Sequence, residues 1–116
     1  MRENILKVKS YTFALRVVKL YKYLCNNKEY ALSKQLLRSG TAVSALVSEA
    51  EFGPSKVDFT SKLSIALKEA NETLYWLSLL KDSRFIDEKM FKSIQPDAKE
   101  PIKLLLSSIN TAKKNR

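Results

Sequence analysis

The side chains able to do acid–base or metal chemistry are few in this sequence. No histidine occurs among the 116 residues, which removes the commonest general base and the commonest metal ligand. A di-iron carboxylate bundle needs paired Glu-x-x-His motifs, and none can exist here. Zinc sites of the Cys/His kind cannot be assembled around the single cysteine, Cys25. Gly40 and Gly53 are the only glycines, so no Gly-rich phosphate loop is present. Glu69 and Glu72 lie three apart and face the same way, and Glu49 pairs more loosely with Glu51. Such carboxylates mostly meet lysines on helix surfaces, here in the pairings Lys68 with Glu72 and Lys62 with Glu69. Cys25 has no base partner and reads as a small core residue. The expectation is a protein that is not an enzyme, with no catalytic residue, no metal and no cofactor.

Cations remain as the chemistry on offer. Lys9, Arg16 and Lys19 cluster over about three helical turns, with Lys22 at the margin. Residues 1–27 hold six basic groups against one acid, more than half of the formal net charge of +9. Tyr11, Tyr21 and Tyr23 interleave with them. Cations alternating with aromatic rings suit phosphate contact combined with stacking on unpaired bases. The same pattern also describes a solvated helix face with tyrosines at its rim.

A second line consists of Arg38, Ala42, Ala45 and Glu49. Its small centre would let another helix approach closely, with charges at both ends that must be paired in a packed state. The favoured reading is a bundle or subunit-interface network that also involves Gln35 and Ser39; the other is phosphate contact by Arg38.

Helices must position these residues. Two glycines and three prolines are too few turn residues for an all-β domain of this length. Phe13, Val17, Leu20 and Leu24 recur at helical spacing within a first helix over about 7–26. A second helix over about 29–52 aligns Leu32, Leu36, Val43 and Val47, and Gly53-Pro54 closes it. Gly40, placed inside that helix, costs about 1 kcal/mol relative to alanine and implies close approach by a neighbour. Ser55 is the expected N-cap of a third helix over about 55–82, with Asp58 in its first turn. Besides its core stripe this helix carries Ile65, Trp76 and Leu79 on the opposite face, which calls for a second packing partner, preferably another subunit. The fourth segment, about 87–113, is expected to break near Pro96. The fold class is therefore all-α: a single domain over 1–116 forming an antiparallel up-and-down four-helix bundle.

The lone cysteine favours a reducing compartment, and no apolar run is long enough to span a membrane. The N-terminal residues lack the apolar stretch of a secretory signal. A cytoplasmic location is expected.

The stretch Ser33-Lys34-Gln35-Leu36-Leu37-Arg38-Ser39-Gly40-Thr41 resembles the signature of the four-helix bundle protein family, also called the 23S rRNA intervening-sequence protein family. The likeness continues through Ser48-Glu49-Ala50, Ser64-Ile65-Ala66-Leu67-Lys68-Glu69-Ala70 and Tyr75-Trp76-Leu77-Ser78-Leu79-Leu80-Lys81-Asp82-Ser83. It covers about residues 8–84. The resemblance implies an antiparallel bundle assembled into a ring, typically a homopentamer. A similar fold serves as the accessory protein of diversity-generating retroelements, where a basic pentamer partners a reverse transcriptase and nucleic acid. One departure is Ala42-Val43-Ser44-Ala45-Leu46-Val47, where the family tends toward Ser-Ile-Gly-Ala-Asn-Ile.

Together these readings predict a basic homo-oligomer that associates with nucleic acid, RNA rather than DNA, through Lys9, Arg16, Lys19 and Lys22. The competing expectation is an adaptor whose basic face docks an acidic partner or a nucleic-acid-processing enzyme.

Overall fold

The computed structural model describes residues 2–115, with side chains from Ile5 onward. Four α-helices follow one another: α1 (Arg2–Asn26), α2 (Ala31–Ala50), α3 (Lys56–Asp82) and α4 (Glu88–Lys114), with no strand among the described residues. Each helix packs on its neighbours in sequence, and α1 closes against α4. The result is a four-helix bundle of 47 × 21 × 19 Å.

Local chemistry sets the helix ends. Ser55 is extended and its side chain accepts a hydrogen bond from the Asp58 backbone N–H, as the sequence predicts. Asp87 does the same for α4, accepting from the Met90 N–H at 2.8 Å. The start of α2 is different. Glu29, expected inside that helix, stands two residues before it with a buried carboxylate that accepts from the N–H groups of Leu32 (3.1 Å) and Ser33 (2.6 Å). Two donors that would otherwise lack intrahelical partners are thereby satisfied. Helices α1 and α3 end in left-handed residues, Lys28 (φ 66°) and Arg84 (φ 67°). The Glu29 and Phe85 N–H groups reach back to Leu24 and Leu80 carbonyls at 2.9 Å, which is the Schellman closure. Gly53 takes no positive φ, so α2 stops through ordinary turns before Pro54.

The expected break near Pro96 does not occur. Helix α4 is continuous, with both Pro96 and Pro101 inside it. An interior proline costs about 3 kcal/mol, whereas burying a large apolar side chain gains roughly 1.5–3 kcal/mol. Helix α4 buries Phe91, Ile94, Ala98, Leu105 and Ile109 along one stripe, and Pro101 itself belongs to it. Breaking the helix would disperse that stripe, so packing overrides the local preference.

The core divides into two apolar clusters. One gathers Phe13, Val17, Leu20, Leu24, Leu36, Leu77, Leu80, Phe91 and Ile94 with their neighbours. The other gathers Leu6, Val43, Val47, Leu63, Ala66, Leu105 and Ile109 with theirs. Between them every helix contributes a small, polar or ring residue that is almost wholly buried: Ser10 from α1, Ser39 from α2, Thr73 from α3 and Pro101 from α4. The hydroxyls are satisfied. Ser10 donates to Leu6 O (2.7 Å), Thr73 to Ser39 Oγ (2.9 Å), and Ser39 to Gln35 O (3.0 Å).

Candidate nucleic-acid interface

The candidate interface lies on the seam between α1 and α4. One guanidinium divides this seam. Arg16 donates from Nη1 to Ser93 O (2.8 Å) and to Asp97 Oδ2 (2.7 Å), and from Nη2 to Ser93 Oγ (2.9 Å). The bonded carbonyl sits one turn before Pro96, in the turn that the proline ring crowds. The fork of the arginine matches such a mixed set of acceptors in a way an ammonium would not.

A cavity lies on either side of this bridge. The first, about 400 Å³, is lined by Lys9, Phe13, Gln95, Lys99, Glu100 and Lys103 among others. The second, about 380 Å³, has Leu20, Met90 and Ile94 beside Lys19, Tyr23 and Lys89. Lys9 approaches Glu100 only at 4.0 Å. Lys19, Lys89, Lys99 and Lys103 form no ion pair among the described residues.

Of the four cations singled out in the sequence, Lys9, Arg16 and Lys19 meet on this seam, with Arg16 held by α4. Lys22 is exposed but lines neither cavity. Sequence reasoning missed Lys89, Lys99 and Lys103, because a broken fourth helix has no register. The signal was present: Lys89, Lys92, Pro96, Lys99 and Lys103 follow at intervals of three, four, three and four, which is one stripe of a continuous helix.

The second predicted constellation separates. Arg38 reaches across to α3, where it pairs with Glu69 (3.0 Å) and Glu72, while Gln35 Oε1 lies 3.4 Å from its Nε. Glu49 pairs instead with Lys62 (3.2 Å), the lysine expected beside Glu69. Ser39 turns inward to Thr73 and takes no part. The hydrogen bond to Glu69 holds the Arg38 pKa above its usual value, with Glu72 adding to it. The Trp76 indole N–H donates to Glu72 (3.0 Å) and, with Arg38, holds that carboxyl below its ordinary pKa against an opposing effect of burial. The Cys25 thiol beside the Tyr21 phenol pushes the phenol's pKa up.

On the predicted second apolar face, Ile65 is exposed, whereas Trp76 and Leu79 are half-buried. Trp76 packs on the first core cluster and meets Tyr75 edge-on at 5.1 Å. A further apolar line appears on the outer side of α1, where Val8, Tyr11 and Leu15 are 56–61% exposed. No group of three or more metal-ligating side chains occurs among the described residues. No helix among them is long and apolar enough to cross a membrane.

Fold and seam define a basic, all-helical four-helix-bundle protein. The chain belongs to the 23S rRNA-intervening sequence protein family, whose model matches residues 2–107. It is also similar to a solved structure from Bacteroides thetaiotaomicron VPI-5482, described as a protein of unknown function from the S23 ribosomal protein family. The two are 51% identical, the match covers 95% of this chain and 99% of that one, and the TM-score is 0.93. No curated protein matches.

Proposed function

We propose that this protein is a non-enzymatic, homo-oligomeric bundle that associates with nucleic acid, RNA rather than DNA, mainly through electrostatic contacts to the backbone. The observation that carries this reading is the seam, where Lys19, Lys89, Lys99 and Lys103 form no ion pair among the described residues and stand beside Lys9, which meets Glu100 only at 4.0 Å. Clustered cations in excess over the neighbouring carboxylates attract a phosphate backbone and release its counterions on binding. The preference for RNA is supported by Tyr11, Tyr21 and Tyr23, which interleave with the α1 cations and suit stacking on unpaired bases. A cytoplasmic setting suits a chain whose lone cysteine excludes an internal disulfide.

An antiparallel up-and-down topology accompanies this reading. It is supported by partner positions that fall along one helix as they rise along the next: Lys7 with Glu51 and Val17 beside Gly40, then Arg38 with Glu69 and Glu49 with Lys62. Self-assembly into a ring, a pentamer by family resemblance, is supported by two different apolar lines. Val8, Tyr11 and Leu15 stand on α1, and exposed Ile65 with half-buried Trp76 and Leu79 on α3. A heterologous ring contact joins two unlike faces in this way. Light scattering at micromolar concentration should give a mass several times that of the chain; a monomer would overturn the assembly. A ring repeats the seam, and repetition raises avidity without new contacts.

The test of binding is fluorescence anisotropy of labelled single-stranded RNA, structured RNA and duplex DNA, titrated at several salt concentrations. Affinity should fall linearly on a log–log plot. A Lys9→Gln, Lys99→Gln, Lys103→Gln variant should flatten the slope for single strands by about 0.7 for each phosphate no longer neutralised. Unchanged affinity in that variant would remove the seam from the interface. Absence of binding even at low salt would overturn the nucleic-acid reading and turn attention to acidic protein partners.

A further inference from the structure

The two cavities on the seam differ in chemistry, and the difference bears on which form of nucleic acid fits. The first is lined by three flexible cations, Lys9, Lys99 and Lys103, against two carboxylates, Glu100 at 4.0 Å from Lys9 and Asp97 already held by Arg16. The second has an apolar floor of Leu20, Met90 and Ile94 and a ring, Tyr23, that is 41% exposed at its edge. Lys19 and Lys89 also line it.

We propose that the seam selects unpaired strands, seating one splayed-out base in the second cavity beside Tyr23 while the strand's phosphates run toward Lys9, Lys99 and Lys103. This rests on the nucleic-acid reading above and adds the strand state to it. A phosphate alone has no use for an apolar floor. A base does, because its faces are apolar and every base offers one for stacking on an aromatic ring. A base within a duplex is already stacked and paired, so it cannot enter a slot between two helices. The thioether of Met90 suits the same guest, since it adapts its shape and contacts aromatic rings favourably. A cavity of about 380 Å³ falls within the range of roughly 300–1,000 Å³ common for small organic groups. Lys19 and Lys89, beside that cavity, would meet the phosphates flanking the seated base. Lys9 and Lys19 stand about 15 Å apart along α1, so several consecutive nucleotides would share the seam.

Arg16 has a distinct part. Its guanidinium is committed to Ser93 and Asp97, so it holds the two walls of the slot together and leaves the phosphates to the lysines.

The experiment compares four fluorescein-labelled probes against the full chain at one low salt concentration: a 12-nucleotide oligouridylate, the same strand with consecutive abasic sites, the corresponding single-stranded DNA, and a 12-base-pair RNA duplex. The intact RNA strand should bind tightest, and its abasic counterpart should bind about tenfold more weakly, the loss of one stacked base. Tyr23→Ala should reproduce that loss on the intact strand, and Tyr23→Phe should restore binding. Neither variant should alter duplex affinity. Equal affinity for intact and abasic strands, or duplex binding as tight as single-strand binding, would overturn the base seat while leaving electrostatic association standing. No binding to any probe would overturn both. Equal binding of the RNA and DNA strands would keep the base seat and remove the preference for RNA.

Discussion

Gly40 of α2 faces Val17 of α1 so closely that a methyl group built on the glycine would fall 2.7 Å from both γ carbons of the valine. Val17 is fully buried, and a β-branched side chain in a helix has essentially one rotamer available. Gly40→Ala therefore has nowhere to place its extra carbon. Overpacking costs about 1–3 kcal/mol and alanine's helix preference returns about 1 kcal/mol. A net loss of about 1 kcal/mol in a urea melt is expected. Combining it with Val17→Ala should give a less-than-additive loss, the mark of direct coupling. A Gly40→Ala protein as stable as the parent would contradict the close approach.

Glu29 makes a second prediction. Its carboxylate occupies the N-terminal end of α2, where two N–H groups and the positive end of the helix dipole converge. Glu29→Ala should lower stability by about 1–2 kcal/mol, and Glu29→Gln by less, because one amide oxygen remains as an acceptor. Denaturant midpoints at neutral pH would rank the three proteins, and parity between Glu29→Ala and the parent would count against the cap.

The prolines of α4 should respond unequally to removal. Pro96 is exposed, whereas Pro101 is buried in the layer between the two core clusters. Pro96→Ala restores a donor toward the Lys92 carbonyl and loses no packing. After allowing for the greater freedom of the unfolded chain, the gain should be about 2 kcal/mol. Pro101→Ala gains the same hydrogen bond but empties ring volume from the core, at about 0.8 kcal/mol per buried methylene. Thermal melts should place Pro96→Ala above Pro101→Ala; the reverse order would contradict the continuous helix.

Acid should weaken the link between α2 and α3. The Glu72 carboxyl titrates below its ordinary value because Trp76 and Arg38 stabilise the anion. A carboxylate depressed in the folded state contributes stability that is fully present above the unfolded value, about 4.3, and is lost as pH falls through the folded one. Glu72→Gln should thus cost less than about 1 kcal/mol at pH 7, given the partial exposure of the pair, and nothing at pH well below 4. A mutational loss that persists undiminished in acid would point to packing around Trp76 instead of charge.

Much of this architecture can be read from residue order. Ser55 caps α3 as its type and its distance from Asp58 suggest, and Phe13, Val17, Leu20 and Leu24 form the buried stripe of α1 that their spacing implies. These features depend on neighbours three or four residues away. The failures share the opposite property. Pro96 is tolerated because of a stripe that packs on other helices, and although Arg38 is paired inside the bundle and keeps Gln35, as expected, its carboxylates come from α3, out of reach of any local pattern. Lys89, Lys99 and Lys103 join Lys9 and Lys19 only once α1 and α4 lie side by side. Half of the candidate site was legible because it sits on one helix, and the other half required the fold.

The layer formed by Ser10, Ser39, Thr73 and Pro101 has a consequence for how the helices can slide. If α2 moved one turn along α3, Thr73 would lose its hydroxyl partner and face an apolar side chain, while the clusters above and below would still meet other apolar groups. Hydrophobic contact alone tolerates such slippage, since it is non-directional. A buried hydroxyl pair resists it: Thr73 and Ser39 would each keep a carbonyl of its own helix, Glu69 O (2.7 Å) and Gln35 O (3.0 Å), but the bond between them would go, a net loss of about 0.5–1.5 kcal/mol. Ser39 and Thr73 act as a detent, favouring one axial position among those that apolar contact alone would tolerate.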